Sequence, residues 1–267
     1  MVRLFESLTC HIGRWIKSFF RVILPQHCAV CGALLTIDES CICVSCFARL
    51  PFTHLKGKHG NWLERYCWGQ IPICRASAYL KYLPLTDSRL PFIALKYKGD
   101  FELARYFGKV MATELVNTDF FDGIDYIVPI PLAKDRLRRR GYNQSSEIAK
   151  GVSLISGIPV REDLVSRIVS NESQTHFTPL QRRENVKHIF RYIGPDLAPN
   201  THLLLIDDIF TTGSTLFSCA EQFCHIPSVR ISILVLGISH IYPYITSLDN
   251  VYEEDPLSPF GSKRDKI

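Results

Sequence analysis

The strongest constraint on the fold is an apolar run that ends in two aspartates and a turn. Residues 202–215 read HLLLIDDIFTTGST. The apolar half has the composition of a strand buried on both faces, and the polar half is typical of a turn that leads into a helix. Further apolar runs at residues 125–131 and 229–238 are separated from it by segments with helical patterns. Strands that alternate with helices predict βαβ units, so we predict an α/β fold with a parallel sheet flanked by helices.

The polar half of this motif has the groups that bind a phosphorylated ribose. Carboxylates at the C-terminal end of a parallel strand lie in the crevice where α/β proteins bind ligands. Asp207 and Asp208 can accept hydrogen bonds from two vicinal ribose hydroxyls. The turn and the start of the next helix predict a 5′-phosphate site that consists of Thr211, Thr212, Gly213, Ser214 and Thr215. An ordinary helix cap would explain one Asp and one Thr, but not the whole set at this spacing.

Ten cysteines are present, and half of them lie in a short N-terminal segment. The pairs Cys28-x2-Cys31 and Cys43-x2-Cys46 have the spacing of a structural Zn²⁺ site with four thiolates. Cys41 could replace Cys43 in register, although Cys41-x-Cys43 is not a zinc knuckle, and the alternative use of the pairs is redox chemistry or a disulfide. A module this small has too little apolar core to fold without metal. The local clustering favours a reducing compartment, so we expect a cytoplasmic protein.

Composition limits the other classes of protein. With 46% hydrophobic residues the chain can form a core, and a net charge of +5 suits phosphorylated ligands or weak nucleic-acid binding. No run of 18 apolar residues predicts a transmembrane helix. Residues 1–26 predict an amphipathic helix, which packs on the protein's own body or a partner subunit, or else lies on a membrane surface. Residues 241–267 are polar and charged, and we expect a poorly packed tail.

Six blocks of the sequence are informative together. They are the paired CxxC, ALKYKGD (94–100), IVPIPL (127–132), RRGYNQSSEIA (139–149), the spaced residues from Gln174 to Phe190, and LLLIDDIFTTGST (203–215). In this order they resemble the ComF family of competence-associated, phosphoribosyltransferase-like proteins. The last of them is similar to the signature for 5-phosphoribosyl 1-pyrophosphate (PRPP) in type I phosphoribosyltransferases. The resemblance covers roughly residues 25–240. It implies a zinc-ribbon module over residues 27–75 and a type I phosphoribosyltransferase-like domain over residues 76–240.

The resemblance also implies roles for two loops. Residues 131–143 would take the pyrophosphate, through Pro131, Arg139, Arg140, Gly141 and Asn143. Residues 171–185 would form a flexible loop that closes over PRPP, with Gln174, Arg182 and Asn185. Mg²⁺ would bridge the pyrophosphate and ribose oxygens. We expect at most two ligand contacts from the basic run Lys134, Arg136, Arg138, Arg139 and Arg140, and we expect residues 94–98 to be a packing and surface segment.

Two classes of function follow from the resemblance. In the first, the protein is a glycosyltransferase of the phosphoribosyltransferase type, which moves ribose 5-phosphate from PRPP to an unknown acceptor. In the second, it is a non-catalytic DNA uptake protein that binds single-stranded DNA through its zinc ribbon and basic surface, or contacts the competence machinery. Thr211 stands where phosphoribosyltransferases for 6-oxopurines carry an Asp, so hypoxanthine and guanine are not expected as acceptors.

Overall fold

The computed structural model describes residues 25–83, 89–97, 100–168 and 189–239. The helices are α1 (Val44–Ala48), α2 (Trp62–Cys67), α3 (Leu90–Tyr97), α4 (Phe101–Leu115), α5 (Lys134–Arg140), α6 (Gln144–Ser156) and α7 (Ser214–Ala220). The strands are β1 (Ile73–Lys81), β2 (Tyr126–Pro129), β3 (Val165–Arg167), β4 (Phe190–Tyr192), β5 (His202–Phe210) and β6 (Arg230–Ile238). Within these ranges, no helix combines the length and the apolar composition needed to cross a membrane. The helix predicted over residues 1–26, apart from its last two residues, and the tail over residues 241–267 lie outside them.

Four parallel strands form the main sheet, in the order β1-β6-β5-β2. The three strands expected from apolar runs are β2, β5 and β6, and the α/β prediction is confirmed. The sequence predicts a strand over residues 202–207, and β5 runs three residues further, to Phe210, so both aspartates lie within the strand. The extension holds because Asp207 and Phe210 stay in register with Val235 and Ile238 of β6.

Alternate residues of β5 supply two apolar layers, as the two-residue repeat of a strand requires. Leu204 and Ile206 pack in a layer with α4, α6 and the N-terminal cysteine segment. Leu203 and Leu205 pack in a layer with α2, α7 and the β3–β4 pair. Because both faces of the sheet are covered, β5 is buried along its apolar half, and its polar end is the part that faces a crevice.

Helices α4 and α6 meet at two glycines that allow their backbones to touch. A Cβ atom on Gly108 would lie 2.1 Å from the carbonyl oxygen of Ile148, and one on Gly151 would lie 2.2 Å from that of Arg105. The contact is reinforced by an ion pair in which Arg105 Nη2 lies 2.5 Å from Glu147 Oε2. This crossing fixes α6, and therefore the RRGYNQSSEIA block at its start, against the body of the protein.

Strands β3 and β4 form a separate antiparallel pair beside the sheet, with Val165 opposite Tyr192. In the sequence, the segment predicted to close over PRPP lies between these two strands. Gln174, Arg182 and Asn185 all lie in that segment, outside the described residues.

Candidate functional site

A polar cavity of about 290 Å³ opens at the C-terminal edge of the parallel sheet. The location is the one at which open α/β sheets bind ligands. Of the residues predicted to bind PRPP, seven line this cavity: Pro131, Arg140, Asn143, Asp207, Asp208, Thr211 and Thr215. The structure therefore brings together residues from the pyrophosphate loop, the aspartate pair and the hydroxyl-rich turn, which the sequence places on separate segments.

The two aspartates at the end of β5 have different partners. Asp207 Oδ1 accepts a hydrogen bond from Ser145 Oγ at 3.0 Å and another from the backbone N–H of Asp208 at 2.9 Å. Asp208 Oδ2 lies 3.5 Å from Lys96 Nζ. Burial, and next the adjacent charge of Asp208, raise the pKa of Asp207 to about 7. Asp207 therefore changes its charge near neutral pH.

The turn after β5 has the backbone that its sequence predicts. Gly213 has a φ of +75°, in the left-handed region that favours glycine, and α7 begins at the next residue. Thr211 and Thr215 line the cavity on either side of this turn. Tyr66 of α2 also contacts the turn, because its hydroxyl donates a hydrogen bond to the Thr212 carbonyl oxygen at 3.4 Å.

The predicted pyrophosphate loop contains the short helix α5. Its Leu and Arg residues favour helix, and Gly141 ends it in the left-handed conformation with its N–H bonded to the Leu137 carbonyl. Arg136 and Arg140, one helical turn apart, both line the cavity, whereas Arg139 and Gly141 of the predicted set do not. Arg139 is 64% exposed and lies 3.7 Å from Asp135. Two of the five basic residues therefore line the cavity, with Arg136 in place of Arg139, and the expectation of at most two ligand contacts stays a prediction.

The GYNQS part of the RRGYNQSSEIA block binds neighbouring segments together. Asn143 Nδ2 donates to the Ile130 carbonyl at 3.0 Å, next to the end of β2. Gln144 Nε2 donates to the Leu95 carbonyl at 3.2 Å, and the Tyr142 hydroxyl donates to the same oxygen. With Ser145 bonded to Asp207, the block connects α3, the end of β2 and the aspartate pair.

Several residues that line the cavity have no site role in the sequence-based prediction. Residues 94–98 were expected to pack or to face solvent, which holds for the buried Ala94 and Leu95 but not for Lys96. Lys96 is the one charged residue in the otherwise apolar sequence LPFIALKY of α3, and this is the signal that could have found it. Besides Arg136, the additional polar lining residues are Tyr82, Lys96, Gln144, Ser145, Arg167 and Ser239.

The four cysteines of the two CxxC pairs lie close enough to bind one metal ion. The Sγ atoms of Cys28, Cys31, Cys43 and Cys46 all lie within 4.8 Å of one another. The distance from Cys31 Sγ to Cys43 Sγ is 3.8 Å, which is the separation that a tetrahedral ion with metal–sulfur bonds of about 2.3 Å requires. All four thiols are free of disulfides. Cys41 is outside this set, which decides between the two registers in favour of Cys43.

The local backbone explains the cysteine geometry. The first pair lies in a tight turn closed by a bridge between His27 and Leu34, with Gly32 at a φ of +74°. The second pair lies at the start of α1, where Cys43 precedes the helix. Although burial opposes ionisation, backbone N–H groups that include those of Cys31 and Cys43 lower the pKa of the Cys28 thiol to about 6. A thiol that ionises so readily is suited to metal binding.

Curated proteins similar to this chain cover most of its length, whereas no protein-family model matches it. The DNA utilization protein YhgH of Escherichia coli K12 is 28% identical over 198 residues, which are 73% of this chain and 82% of that protein. Competence protein F of Haemophilus influenzae is 26% identical over 71% of this chain and 87% of that protein. Competence protein ComFC of Streptococcus pneumoniae is 27% identical over 68% of this chain and 81% of that protein. The resemblance to the ComF family is confirmed.

Solved structures similar to the chain are phosphoribosyltransferases. The adenine phosphoribosyltransferase of Leishmania tarentolae is 13% identical, with a TM-score of 0.34, over 60% of this chain and 67% of that one. A hypoxanthine phosphoribosyltransferase of Staphylococcus aureus is 18% identical, with a TM-score of 0.31, over 51% of this chain and 63% of that one. Similarity at this level carries no inference about the substrate of the ComF-like chain. Its fold class is given by its own parallel sheet, flanking helices and N-terminal cysteine cluster.

The ionisation of Asp207 predicts that Asp207→Asn stabilises the protein above neutral pH. An aspartate in the unfolded chain has a pKa of about 3.9, whereas that of Asp207 in the folded state is about 7. The folded state therefore binds more protons between these values, and its stability falls as the pH rises through this window. At pH 8 the variant should exceed the wild type in free energy of unfolding by roughly 1–3 kcal/mol, and less at pH 5. Urea denaturation at the two pH values measures the difference.

Asp163→Asn is the matched control, and we expect it to change the stability at pH 8 in the opposite direction. Asp163 is exposed and bonded to Arg161 Nε at 2.8 Å, which lowers its pKa. Its contribution to stability is present above the unfolded-state pKa and is lost as the pH falls through the folded-state value. The control should therefore lose a little stability at pH 8. An Asp207→Asn variant with the same advantage at pH 5 and pH 8 would show that Asp207 is not the group that titrates.

Proposed function

We propose that the chain is a PRPP-binding, ComF-like phosphoribosyltransferase that moves ribose 5-phosphate to an acceptor still to be identified. The observation that carries the proposal is the convergence of Asp207 and Asp208 with the hydroxyl-rich turn and two arginines in one cavity. Each of the three groups suits one part of PRPP. The turn suits the 5′-phosphate, the aspartate pair suits the ribose diol, and Arg136 and Arg140 suit the pyrophosphate.

The charges of the cavity support a ligand with several phosphate groups. Besides the two carboxylates of β5 and Lys96, which is paired with one of them, three arginines line the cavity. They are Arg136, Arg140 and Arg167. Burial, and next the charge of Arg136, lower the pKa of Arg167. Bound phosphates would relieve this repulsion between neighbouring guanidinium groups.

The proposed reaction breaks the bond between ribose C1 and the pyrophosphate oxygen, and forms a bond from C1 to the acceptor. The pyrophosphate leaves with the bonding electrons, and the acceptor loses a proton. Asp207 and Asp208 would hold the ribose, while Arg136 and Arg140 would stabilise the charge that develops on the leaving group. PRPP would bind as its Mg²⁺ complex, in which the cation neutralises part of the phosphate charge. The segment with Gln174, Arg182 and Asn185 would close the site.

Loss of either aspartate should weaken PRPP binding. Asp207→Asn and Asp208→Asn each remove a charged acceptor, and hydrogen bonds to charged groups contribute roughly 1.5–3 kcal/mol, so we expect about a tenfold or larger increase in Kd. Thr215→Ala should cost less, because backbone N–H groups supply much of a phosphate site. Calorimetry with PRPP and Mg²⁺ measures these effects.

Asp163→Asn is also the control for this experiment, since Asp163 lies outside the cavity lining. Its Kd should equal that of the wild type. A wild-type protein that does not bind PRPP, or aspartate variants that bind it normally, would disprove the proposed site.

We also propose that Cys28, Cys31, Cys43 and Cys46 bind one structural Zn²⁺ per chain, in a cytoplasmic protein whose thiols stay reduced. Cys31→Ser should remove most of the zinc found by elemental analysis and should lower the Tm, because a small module relies on its metal to fold. Cys31 is exposed, so the substitution itself creates no cavity.

The exposed Cys74, outside the cluster, gives a matched control, and Cys74→Ser should keep both its zinc and its Tm. Purified wild-type protein without zinc, or with a disulfide among the four cysteines, would contradict the zinc proposal.

The names of the relatives favour a second candidate function, in which the protein handles single-stranded DNA and PRPP is bound but not consumed. One relative is named for DNA utilization and two for competence. Binding to DNA phosphates releases counterions, so the affinity for single strands should fall steeply between 50 and 200 mM salt, by about 10³-fold if six phosphates are contacted. Fluorescence anisotropy measures it, and no binding at low salt would exclude this function.

A turnover assay separates the two functions. PRPP with Mg²⁺ is incubated with the protein and a panel of bases and amines, and pyrophosphate release is followed. Release that requires one class of acceptor supports the transferase. Binding of PRPP without release, together with salt-dependent DNA binding, supports the second function.

A further inference from the structure

Lys96 lies on α3, which is separate in sequence both from the predicted PRPP motif and from the arginine-rich helix α5. From there its side chain reaches the aspartate pair. Its Nζ atom lies 3.5 Å from Asp208 Oδ2, with the two side chains 26% and 18% exposed. The ion pair lines the cavity and is largely shielded from water. Charge interactions are screened less at such a site than on an open surface.

The position of Lys96 is fixed by the packing of α3. Phe92, one helical turn before Lys96, packs on Gly237 of β6, where an added Cβ would lie 2.4 Å from the Phe92 ring. Gly237 is in register with Ile209, the residue after Asp208. At the other side, the Leu95 carbonyl accepts from Tyr142 and Gln144. The helix therefore presents Lys96 to Asp208 whether or not the ion pair forms.

The two carboxylates need different kinds of support. Asp207 is oriented by the hydroxyl of Ser145 and by a backbone N–H, which are neutral donors. Both neutral donors favour the ionised form of Asp207, and so does the ammonium group of Lys96, which is the one among them that adds a compensating positive charge. Lys96 supplies that charge directly at Asp208.

Other charged or titratable groups also face the pair. Arg136 and Arg140 on α5, and Arg167 on β3, line the same cavity, as does Tyr82 after β1. The thiol of Cys219 on α7 is buried close enough to Asp207 for their charges to interact. The arginines match the anionic part of the proposed ligand, whereas Lys96 is committed to a carboxylate.

We propose that Lys96 is a positioning residue of the ribose site, which holds Asp208 and neutralises it so that both carboxylates can be ionised together. The expected effect of Lys96 on PRPP binding rests on the proposed function. The expected effect of Lys96 on the titration of Asp207 in the free protein is independent of that function. Lys96 would set the pH above which the pair is ready to bind a diol.

The first test follows the carboxyl groups of the free protein by NMR, with ¹³C-labelled aspartate. Lys96→Met keeps the aliphatic stem and removes the charge, and it should raise the pKa of Asp207 by about one unit or more. Lys96→Arg should leave the pKa near that of the wild type. Lys109→Met, which removes the same charge from an exposed site on α4 outside the cavity lining, should not change it.

A second variant shows whether Lys96 acts through Asp208. In an Asp208→Asn background, Lys96→Met should weaken PRPP binding at pH 7 much less than in the wild-type background, because the carboxylate that Lys96 holds is absent. An equal loss of binding in the two backgrounds, or no shift of the Asp207 titration from Lys96→Met alone, overturns the proposal.

The third measurement is the pH profile of PRPP binding. If the pKa of Asp207 rises from about 7 to about 8, the ionised fraction at pH 7 falls from about one half to about one tenth. Relative to the wild type, Lys96→Met should therefore bind PRPP about fivefold more weakly at pH 7 and nearly equally at pH 9. A loss of equal size at both pH values overturns the positioning role.

The two proposals fail in distinguishable ways. If wild-type protein ignores PRPP but the Asp207 titration shifts as expected, the proposed function fails and the role of Lys96 stands. If PRPP binds normally and Lys96→Met leaves the titration unchanged, the role of Lys96 fails alone.

Discussion

The site depends on the placement of two adjacent carboxylates at the end of a strand that is paired on both sides. Asp207 remains in register with β6, and the preceding residue, Ile206, pairs with Pro129 of β2. Two negative charges in this position repel each other and lose hydration, which costs stability. Ser145, Lys96 and the nearby arginines each offset part of that cost. The surrounding polar residues are thus arranged around the repulsion between these two carboxylates. A ligand with a diol and phosphates would offer hydrogen-bond donors to the carboxylates and negative charge to the arginines.

Much of the architecture could be predicted from the sequence, because its signals are local. The apolar runs of β2, β5 and β6, the turn at Gly213 and the CxxC spacing each depend on a few neighbouring residues. Among the helices, α5 shows the limit of this reasoning. Its five basic residues look equivalent in sequence, and only the orientation of the helix brings Arg136 and Arg140, rather than Arg139, to the cavity.

The roles of Lys96 and Ser145 could not be predicted in the same way, because they arise from contacts between distant segments. Leu95, Tyr142 and Gln144 must meet before Lys96 is placed beside Asp208. Leu95 and Lys96 of the ALKYKGD block and the start of the RRGYNQSSEIA block are therefore parts of one arrangement that also includes the aspartate pair. The resemblance to ComF sequences rested partly on these two blocks, but residues 94–98 were expected only to pack or to face solvent, and it is the hydrogen bonds that connect the blocks.

The contact between Gly108 and Gly151 limits how sequences with this fold and site can vary. Only backbone fills the space between α4 and α6 there, so no side chain can rearrange to absorb an added methyl group. Any larger residue at one position must push α6 outwards and carry Ser145 away from its carboxylate. We therefore expect the two positions to change together during evolution or not at all, although neither touches the cavity. A pair of residues without side chains would then be inherited with the ligand site as strictly as the residues that line it.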